Sequence, residues 1–558
     1  MNTTLTHIAL IASAALVAGC GKAPDPGAAA STVAAVALTG SAPAASHADS
    51  IAWIKPEGTA VDAIFTKAKA ENKPVFLYWG AVWCPPCNQI KATVFNRPDF
   101  IERSKSFVPV YLDGDTPGAQ KLAAQFKVRG YPTMILFKPD ATELTRLPGE
   151  VDSSQYMQVL GLGLVATHSV KESLATVLAT GTDAVTVAAK AAVTPDAWRL
   201  LAYYSWDTDE AKLLPKTEVA AALQKLSQSC PPEQKDSSAR LALKAMSFAT
   251  QQKIKGFDAP AALQRARQVL ADPALTRRNF DVLAYNGSDI VSGLTKPGSA
   301  ERGSLLIAWN AALDTLVADE TLSKGDRLSA MQGKVALARI DAPDEGASAT
   351  GVKAPVSEAL LGQTRDLVTR MVAATTNKYE RQAIVPNAAD LLSDVGLLDE
   401  SDAMLKTELP KAVSPYYHML VLAANAKTRG NKAASLDWAE KAFAESVGSA
   451  TRIQWGAGYV NKVIDLTPQD APRIEKAVSA VIAELEAVPE TFYERNRRSL
   501  EKMGTKLNTW NKDGKRSALV KRLTARLNDV CAKLPPGDES RSACVGIFKP
   551  AGKPTGKA

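Results

Sequence analysis

The pattern of hydrophobic and polar residues changes several times along this chain of 558 residues. Residues 1–20 hold one apolar run, IALIASAALVAG, and residues 21–50 are low-complexity Ala, Ser, Pro and Gly, a composition typical of a flexible tether. Residues 51–165 alternate short apolar runs with segments of helical spacing. Beyond about residue 166, Ala, Leu, Lys, Glu and Gln recur at helical spacing. The pattern therefore predicts a multidomain protein, in which an α/β domain precedes a mostly α-helical array.

Four segments within residues 51–165 predict strands. They are KPVFLYWG, FVPVYLDGD, TMILF and the residues that follow the turn KPDATE. The segments NQIKATVF and GAQKLAAQF have helical spacing, and they follow the first and second strands. The predicted order is strand, helix, strand, helix and then two strands joined by a turn.

Stretches rich in Pro, Gly and Ser interrupt the helical region, at 229–238, 295–303, 341–355 and 534–540. The third stretch is interpreted as the main internal boundary. The array is therefore divided into helical regions at 166–340 and 356–530, with a C-terminal tail at 531–558.

Two segments of the array are similar to each other. LLSDVGLLDESDAMLKTEL and NAKTRGNKAASLDWAEKAF both predict a helix, a glycine turn and a second helix, and their glycines, Gly396 and Gly430, lie one helical-hairpin repeat period apart. The second segment resembles the second half of a tetratricopeptide repeat. The plainer interpretation is a general helical array with two similar hairpins. Because helical arrays present concave surfaces that bind proteins, we expect this region to hold a client or a partner.

Composition and charge argue against nucleic-acid binding. Hydrophobic residues make up 46% and charged residues 22% of the chain, which is ordinary for globular proteins. The formal net charge of +8 is small for this length, and the sequence has no Lys and Arg run of the kind that binds phosphate. We expect the basic balance to be solvated surface.

The N-terminal apolar run ends in LVAGC, which resembles the lipobox of bacterial lipoproteins. The run is too short for a membrane span and suits a signal-peptide core. The resemblance implies a signal peptide over 1–20, lipidation of Cys20 and a periplasm-facing lipoprotein of the cell envelope. Gly21 favours the outer membrane over the inner one by the enteric sorting rule. The segment before the run departs from the usual pattern, because it has no Lys or Arg. An ordinary secretory signal cut slightly later is the alternative.

The remaining cysteines form two candidate pairs and one unpaired residue. Exported chains meet an oxidising compartment, which favours disulfides. Cys531 and Cys544 bracket a turn-rich loop and are predicted to form a structural disulfide. Cys230 is then left over as a buried or free thiol.

Cys84 and Cys87 lie in the segment YWGAVWCPPCNQI, on a predicted strand-to-helix turn. The N–H groups and dipole at a helix N-terminus favour an anion, so we expect the pKa of Cys84 to fall below its free value. Cys84, at an exposed turn, is the predicted nucleophile, and Cys87, one turn inside, resolves the mixed disulfide. The two intervening prolines carry no N–H to stabilise the thiolate, which favours reduction or isomerisation over oxidation.

Three alternatives to redox chemistry compete at this pair. A zinc site needs further ligands, and His7, His47, His168 and His418 are not in paired spacing. Two soft thiolates suit copper(I), which stays a hypothesis. Inert buried thiols fit poorly at a helix start. We predict no metal and no cofactor for the main function.

Three separated motifs, WCPPC, VRGYPT and LFKPDATE, occur in the order found in the thioredoxin superfamily, which residues 51–165 resemble. The resemblance implies a thioredoxin fold with Pro132 as a cis-proline and with Tyr131 and Trp83 as substrate-binding positions. The sequence departs from thioredoxin proper, since Tyr78 and Tyr111 align with the acid and the lysine that assist proton removal from the resolving thiol.

Two functional hypotheses follow. The first is an envelope-anchored thiol–disulfide oxidoreductase that acts on protein disulfides and exchanges electrons with another envelope thiol protein. The second is a non-enzymatic helical adaptor, or a copper(I)-binding lipoprotein, that uses the thioredoxin-like domain only for binding.

Overall fold

The computed structural model describes residues 50–56, 61–116, 118–128, 130–181, 183–208, 213–254, 258–342 and 354–549. The predicted signal peptide, the lipidation site Cys20 and the tether lie outside the described residues, apart from Ser50 at the end of the tether. Most of the predicted boundary at 341–355 also lies outside them.

A sheet of four strands organises the first domain. The strands are β1 (Val75–Gly80), β2 (Val108–Asp113), β3 (Thr133–Phe137) and β4 (Glu143–Leu147). The order across the sheet is β2-β1-β3-β4. β1 pairs in parallel with β2 and antiparallel with β3, and β3 pairs antiparallel with β4. β1 lies in the interior of the sheet. Every one of its residues is buried, as expected for a strand that is covered on both faces.

Five helices accompany the sheet. They are α1 (Asp62–Glu71), α2 (Pro85–Ile90), α3 (Pro98–Arg103), α4 (Ala119–Gln125) and α5 (Ser153–Val165), and a π-helical turn, Lys91–Phe95, continues α2. Alternate residues of β1 enter different cores, as the period of a strand requires. Leu77 and Trp79 pack on one side of the sheet, and Phe76 and Tyr78 pack on the other.

Helices make up the described chain from residue 170 onward. The first group comprises α6 (Val170–Leu178), α7 (Ala184–Ala191), α8 (Pro195–Ala202), α9 (Lys216–Ser229), α10 (Lys235–Gln251), α11 (Ala259–Ala271), α12 (Pro273–Arg278), α13 (Phe280–Leu294), α14 (Ala300–Ala318) and α15 (Lys324–Ala338). The second group comprises α16 (Glu358–Ala373), α17 (Lys378–Asp394), α18 (Leu398–Glu408), α19 (Pro415–Thr428), α20 (Lys432–Glu445), α21 (Ser449–Leu466), α22 (Ala471–Ala487), α23 (Glu494–Trp510), α24 (Ser517–Cys531) and α25 (Glu539–Gly546). Within the described ranges, no helix is long and apolar enough to cross a membrane.

The predicted fold class is confirmed, and three of the predicted breaks lie between helices. The stretches at 229–238, 295–303 and 534–540 each separate two consecutive helices. The region predicted as a tail contains α25, and a disulfide joins Cys544 in this helix to Cys531 at the end of α24.

The two similar segments both form helix–turn–helix units. Gly396 and Gly430 lie in the turns with φ values of +94° and +74°. Glycine adopts this left-handed backbone without the steric cost of a side chain, which explains the residue at both turns. The likeness to tetratricopeptide repeats stays a prediction.

The α/β domain shares one apolar core with the first helices of the array. Tyr156 and Leu160 of α5 belong to the same buried cluster as Trp198 and Leu201 of α8. The sheet domain is therefore fastened to the array along an apolar surface on this side.

Candidate active site

The CPPC segment lies at the junction of β1 and α2. Cys84 is the N-cap of α2, with an extended backbone, and Pro85 and Pro86 occupy the first helical positions. The amide N–H of Cys87 donates to the Cys84 sulfur at 3.2 Å. The two cysteines form a disulfide, with their Cα atoms 5.2 Å apart. A sequence spacing of three on one helical turn therefore brings the sulfurs into bonding range, as predicted from the pattern.

A cis peptide bond between Tyr131 and Pro132 lies beside the disulfide. The carbonyl oxygen of Tyr131 is 3.7 Å from the Cys84 sulfur. Pro132 directly precedes β3, where a residue without an N–H removes no central ladder bond. The structure thus brings together Cys84, Cys87 and the proline that the sequence resemblance singled out.

Trp83 connects the disulfide to the end of β2. Its indole N–H donates to the Asp115 carboxylate at 2.9 Å. The ring of Trp83 lies 5.5 Å from that of Trp455 in α21 and 6.4 Å from that of Tyr417 in α19, measured between centroids. The predicted substrate-facing tryptophan therefore contacts the helical array.

The array covers the redox-active cysteines. Cys84 is only 2% exposed, Cys87 is 0% exposed and Trp83 is 6% exposed. The prediction of an exposed Cys84 is therefore wrong for this structure, because array residues pack on the turn. Five of the array residues that make these contacts are hereafter called the cover: Tyr416, Tyr417, Met419, Trp455 and Arg495.

Asp115 holds the polar part of this contact. Its carboxylate accepts a hydrogen bond from the Thr451 amide at 2.9 Å and another from the Thr451 hydroxyl. The Ser449 hydroxyl donates to the Asp115 carbonyl oxygen at 3.1 Å. Burial raises the pKa of Asp115 to about 6, although the bonds from Thr451 and Trp83 favour its charged form.

Gly448 precedes α21 where the array approaches Asp115 most closely. A Cβ at this position would lie 2.6 Å from the Asp115 carboxyl carbon, and the backbone has a φ of +95°. Both the close approach and the positive φ require glycine. The start of α21 is thereby able to point its N–H groups at the carboxylate, an arrangement that the positive end of a helix favours.

Arg495 supplies the positive charge of the cover. Its guanidinium lies 4.7 Å from the centroid of the Tyr131 ring and 5.6 Å from that of Trp83. These distances suit cation–π contacts. The Tyr131 hydroxyl accepts a hydrogen bond from Gln120 at 2.6 Å. Both aromatic residues predicted to face the substrate thus face Arg495 in this structure.

Comparison with known proteins gives the family of the α/β domain. A family model described as a thioredoxin-like domain matches residues 61–163. The thioredoxin of Mycobacterium bovis is 35% identical over 89 residues, which are 16% of this chain and 72% of that protein. The chain belongs to the thioredoxin family. Its thioredoxin domain is also homologous to a second class of protein, the thiol:disulfide interchange proteins.

The thiol:disulfide interchange protein DsbD of Pseudomonas fluorescens is 34% identical over 95 residues, 16% of this chain and 16% of that protein. The chain therefore spans only about a sixth of the length of this relative. A solved thioredoxin from Thermus thermophilus is 26% identical, covers 20% of this chain and 88% of its own, and has a TM-score of 0.18.

The redox helix of the thioredoxin domain also contacts the array through Gln89. Its amide donates to the Asp326 carboxylate, at the start of α15, at 2.9 Å. A Cβ at Gly325 would lie 2.4 Å from the Gln89 side chain. Burial raises the pKa of Asp326 to about 6. The array therefore contacts α2 on its flank as well as at its N-terminus.

The two tyrosines that replace the acid and the lysine of thioredoxin proper are unsuited to accept a proton. The Tyr78 hydroxyl is buried without a hydrogen-bond partner. Burial raises the pKa of Tyr78 and of Tyr111 above their ordinary values. The rings stack with centroids 5.3 Å apart. We conclude that neither phenol removes the proton of Cys87 near neutral pH.

The other cysteines lie apart from the active-site cluster. Cys531 and Cys544 form the second disulfide, and both are 0% exposed. Cys230 is a free and buried thiol. Burial raises the pKa of Cys230 to about 11, which disfavours its reactive thiolate.

Sequence reasoning did not identify Asp115, Thr451, Arg495 or Gln89 as parts of this site. Trp455 of α21, which packs against Trp83, was likewise not singled out. In the described part of the chain, no group of three or more His, Cys, Asp and Glu side chains is arranged to hold a metal ion.

Proposed function

We propose that the chain is a thiol–disulfide oxidoreductase that acts on protein disulfides through Cys84 and Cys87. The observation that carries the proposal is the position of the Cys84 sulfur, 3.2 Å from the Cys87 amide N–H and 3.7 Å from the carbonyl oxygen that precedes Pro132. In the reduced protein the same amide favours a thiolate at Cys84. By the family resemblance, the backbone beside the cis Tyr131–Pro132 bond is the part that pairs with a client strand.

The reaction balances in two exchange steps. The Cys84 thiolate attacks one sulfur of a client disulfide, forms a mixed disulfide and releases the other client sulfur as a thiolate. Cys87 then loses its proton to solvent, attacks the Cys84 sulfur and releases the second client thiolate. Two electrons pass from the dithiol to the client, which leaves Cys84 and Cys87 joined as in this structure. A second dithiol protein must return two electrons before another turnover.

Reduction or isomerisation is the direction that we favour. Strong oxidants of this chemistry stabilise their reduced, thiolate form heavily. Here Pro85 and Pro86 occupy the first positions of α2 and offer no N–H to the sulfur. The name of DsbD, a thiol:disulfide interchange protein, supports exchange without giving this chain a direction.

We place the enzyme in the bacterial cell envelope, anchored through a lipid on Cys20, with the outer membrane favoured. The support is the LVAGC sequence and the tether-like composition that follows it. The disulfide between Cys531 and Cys544 is a second support, because structural disulfides persist in oxidising compartments. Clients and the electron-donating dithiol protein are then envelope proteins, and the array holds or selects them.

Copper(I) binding is the second candidate, since Met419 belongs to the same buried cluster as Cys84 and Cys87. Two thiolates and a thioether are soft ligands that suit this ion. This candidate does not require a client to reach Cys84.

Trapping of the mixed disulfide tests the proposal. Reduced Cys87→Ser protein, incubated with a protein disulfide such as insulin, should accumulate a covalent adduct that reductant releases. The matched Cys84→Ser protein should accumulate none. Adducts in equal amounts from both variants would remove Cys84 as the nucleophile. Copper(I) uptake at one ion per chain, lost in both variants, together with no adduct, would favour the second candidate.

A further inference from the structure

We propose that the cover is an autoinhibitory contact, which keeps the CPPC site closed until the array separates from it. This inference rests on the proposed function, because it concerns access of protein disulfides to Cys84. The cover, namely Tyr416, Tyr417, Met419, Trp455 and Arg495, occupies the surface that a client would use.

Disulfide exchange at this site depends on access to the Cys84 sulfur. Disulfide exchange requires the attacking thiolate to touch a client sulfur, with the client chain on either side of it. Cys84 is 2% exposed in the closed arrangement, so a client makes that contact only while the array is separated, and exchange with the wild-type chain is slowed. The disulfide form in this structure is equally inaccessible to a reducing dithiol protein.

The client strand is expected to lie on the surface that the cover occupies. The family resemblance places the client beside Tyr131 and Pro132, and Trp83 flanks the same surface. Arg495 lies over the rings of both Tyr131 and Trp83. Trp455 and Tyr417 pack on Trp83 from the array side. A client and the cover therefore compete for the same surface.

The contact between the cover and the CPPC site is suited to separate. Its centre is aromatic, but its edge is held by Asp115 with Thr451 and Ser449, groups that water can satisfy once they are exposed. Mixed apolar and polar contacts are typical of interfaces between domains that move. The apolar core shared by α5 and α8 fastens the thioredoxin domain elsewhere, so separation at the cover does not release the domain from the array.

Thr451→Asp is designed to open the cover without breaking α21. Thr451 is the third residue of that helix, where a carboxylate is favourable to the helix itself. The new carboxylate would face that of Asp115, so their repulsion should push the surfaces apart. Thr451→Asn is the matched control, since it has the same shape without the charge.

The readout is the rate at which iodoacetamide labels Cys84 in the reduced full-length chain, followed by mass spectrometry of the peptide. We expect labelling of Thr451→Asp to be at least about tenfold faster than that of the wild type and of Thr451→Asn. Trp455→Ala, which removes a contact with Trp83, should also accelerate labelling. Circular dichroism identifies a variant that does not fold, and the other variant then decides.

Equal labelling rates in the wild type and in every folded variant would overturn the proposal that the cover is autoinhibitory. Insulin reduction separates this failure from failure of the proposed function. If Thr451→Asp labels faster and reduces no insulin, the cover stands and the proposed function fails. If the wild type and Thr451→Asp label at the same rate and reduce insulin equally fast, the proposed function stands and the autoinhibitory contact fails.

Discussion

The two disulfides in the described part of the chain join similarly buried cysteines in different surroundings. Cys84 and Cys87 are three residues apart, at the start of one helix, with an amide N–H directed at the first sulfur. Cys531 and Cys544 are thirteen residues apart and join the end of α24 to α25. The first pair is placed where a thiolate is stabilised, whereas the second closes a loop. Burial alone therefore does not distinguish a redox disulfide from a structural one.

The largest expected difference between the pairs is in catalysis. Cys84→Ser should lower the rate of disulfide exchange by at least about a thousandfold, because it removes the nucleophile. The double variant Cys531→Ser/Cys544→Ser should keep a rate close to that of the wild type. Reduction of a fluorescent-labelled protein disulfide, with dithiothreitol as the electron source, measures both. A comparable loss in the double variant would contradict the division of roles.

The second expected difference is in stability. Cys531→Ala/Cys544→Ala should lower the free energy of unfolding of the C-terminal helices by about 3 kcal/mol, since the disulfide closes a loop near 15 residues. Cys84→Ala/Cys87→Ala should cost less, because the loop that it opens is much shorter. Hydrogen exchange of α24 and α25 in both variants provides the measurement. A larger loss of hydrogen-exchange protection in Cys84→Ala/Cys87→Ala would contradict the structural role given to the disulfide between Cys531 and Cys544.

The folding stability that comes from the surroundings of Cys84 and Cys87 should depend on pH through Asp115. Its folded-state pKa of about 6 lies above its ordinary value, so the folded protein holds this proton more tightly than the unfolded chain does. The resulting stabilisation is fully present below about pH 4 and is lost as the pH rises through 6. Asp115→Asn lacks this dependence, and relative to the wild type it should gain roughly 1–3 kcal/mol between pH 4 and 7.

Thermal midpoints of both proteins, recorded across that pH range, test the expected gain in stability of Asp115→Asn relative to the wild type. Asp326→Asn is a useful comparison, because Asp326 has a similarly raised pKa but contacts Gln89 on the flank of α2. A constant difference between Asp115→Asn and the wild type at every pH would show that Asp115 titrates normally.

The smallest expected effect concerns Cys230, the free cysteine of the described residues. Cys230→Ala should leave the exchange rate unchanged and lower the free energy of unfolding by about 1 kcal/mol, as expected for a small buried side chain. The same exchange assay and a thermal melt measure it. A loss of exchange activity would show that Cys230 takes part in the redox cycle.

Local structure in the thioredoxin domain could be predicted because local sequence determines it. The apolar run ending at Gly80 predicts a buried central strand, and the change to helical spacing after Cys87 places the turn. Pro132 followed from a family resemblance, since spacing alone cannot reveal its neighbour. The helices of the array followed from periodicity and from their breaks.

The cover could not be predicted, because it joins residues that are far apart in the chain. Asp115 and Thr451 are separated by 336 positions, and a threonine in a helix carries no signal of its partner. Trp455 has the spacing of any packed helical aromatic. The accessibility of Cys84 depends on these distant contacts, which is why a local pattern predicted it wrongly.

The apolar core that α5 shares with α8 has a practical consequence for recombinant fragments. Truncation after Val165 would remove Trp198 and Leu201 from this core and leave its thioredoxin side partly open to water. The same cut would remove the array residues that pack on Trp83. Such a fragment would be both more reactive and more prone to aggregate than the parent chain, and rates measured on it would not describe the intact enzyme.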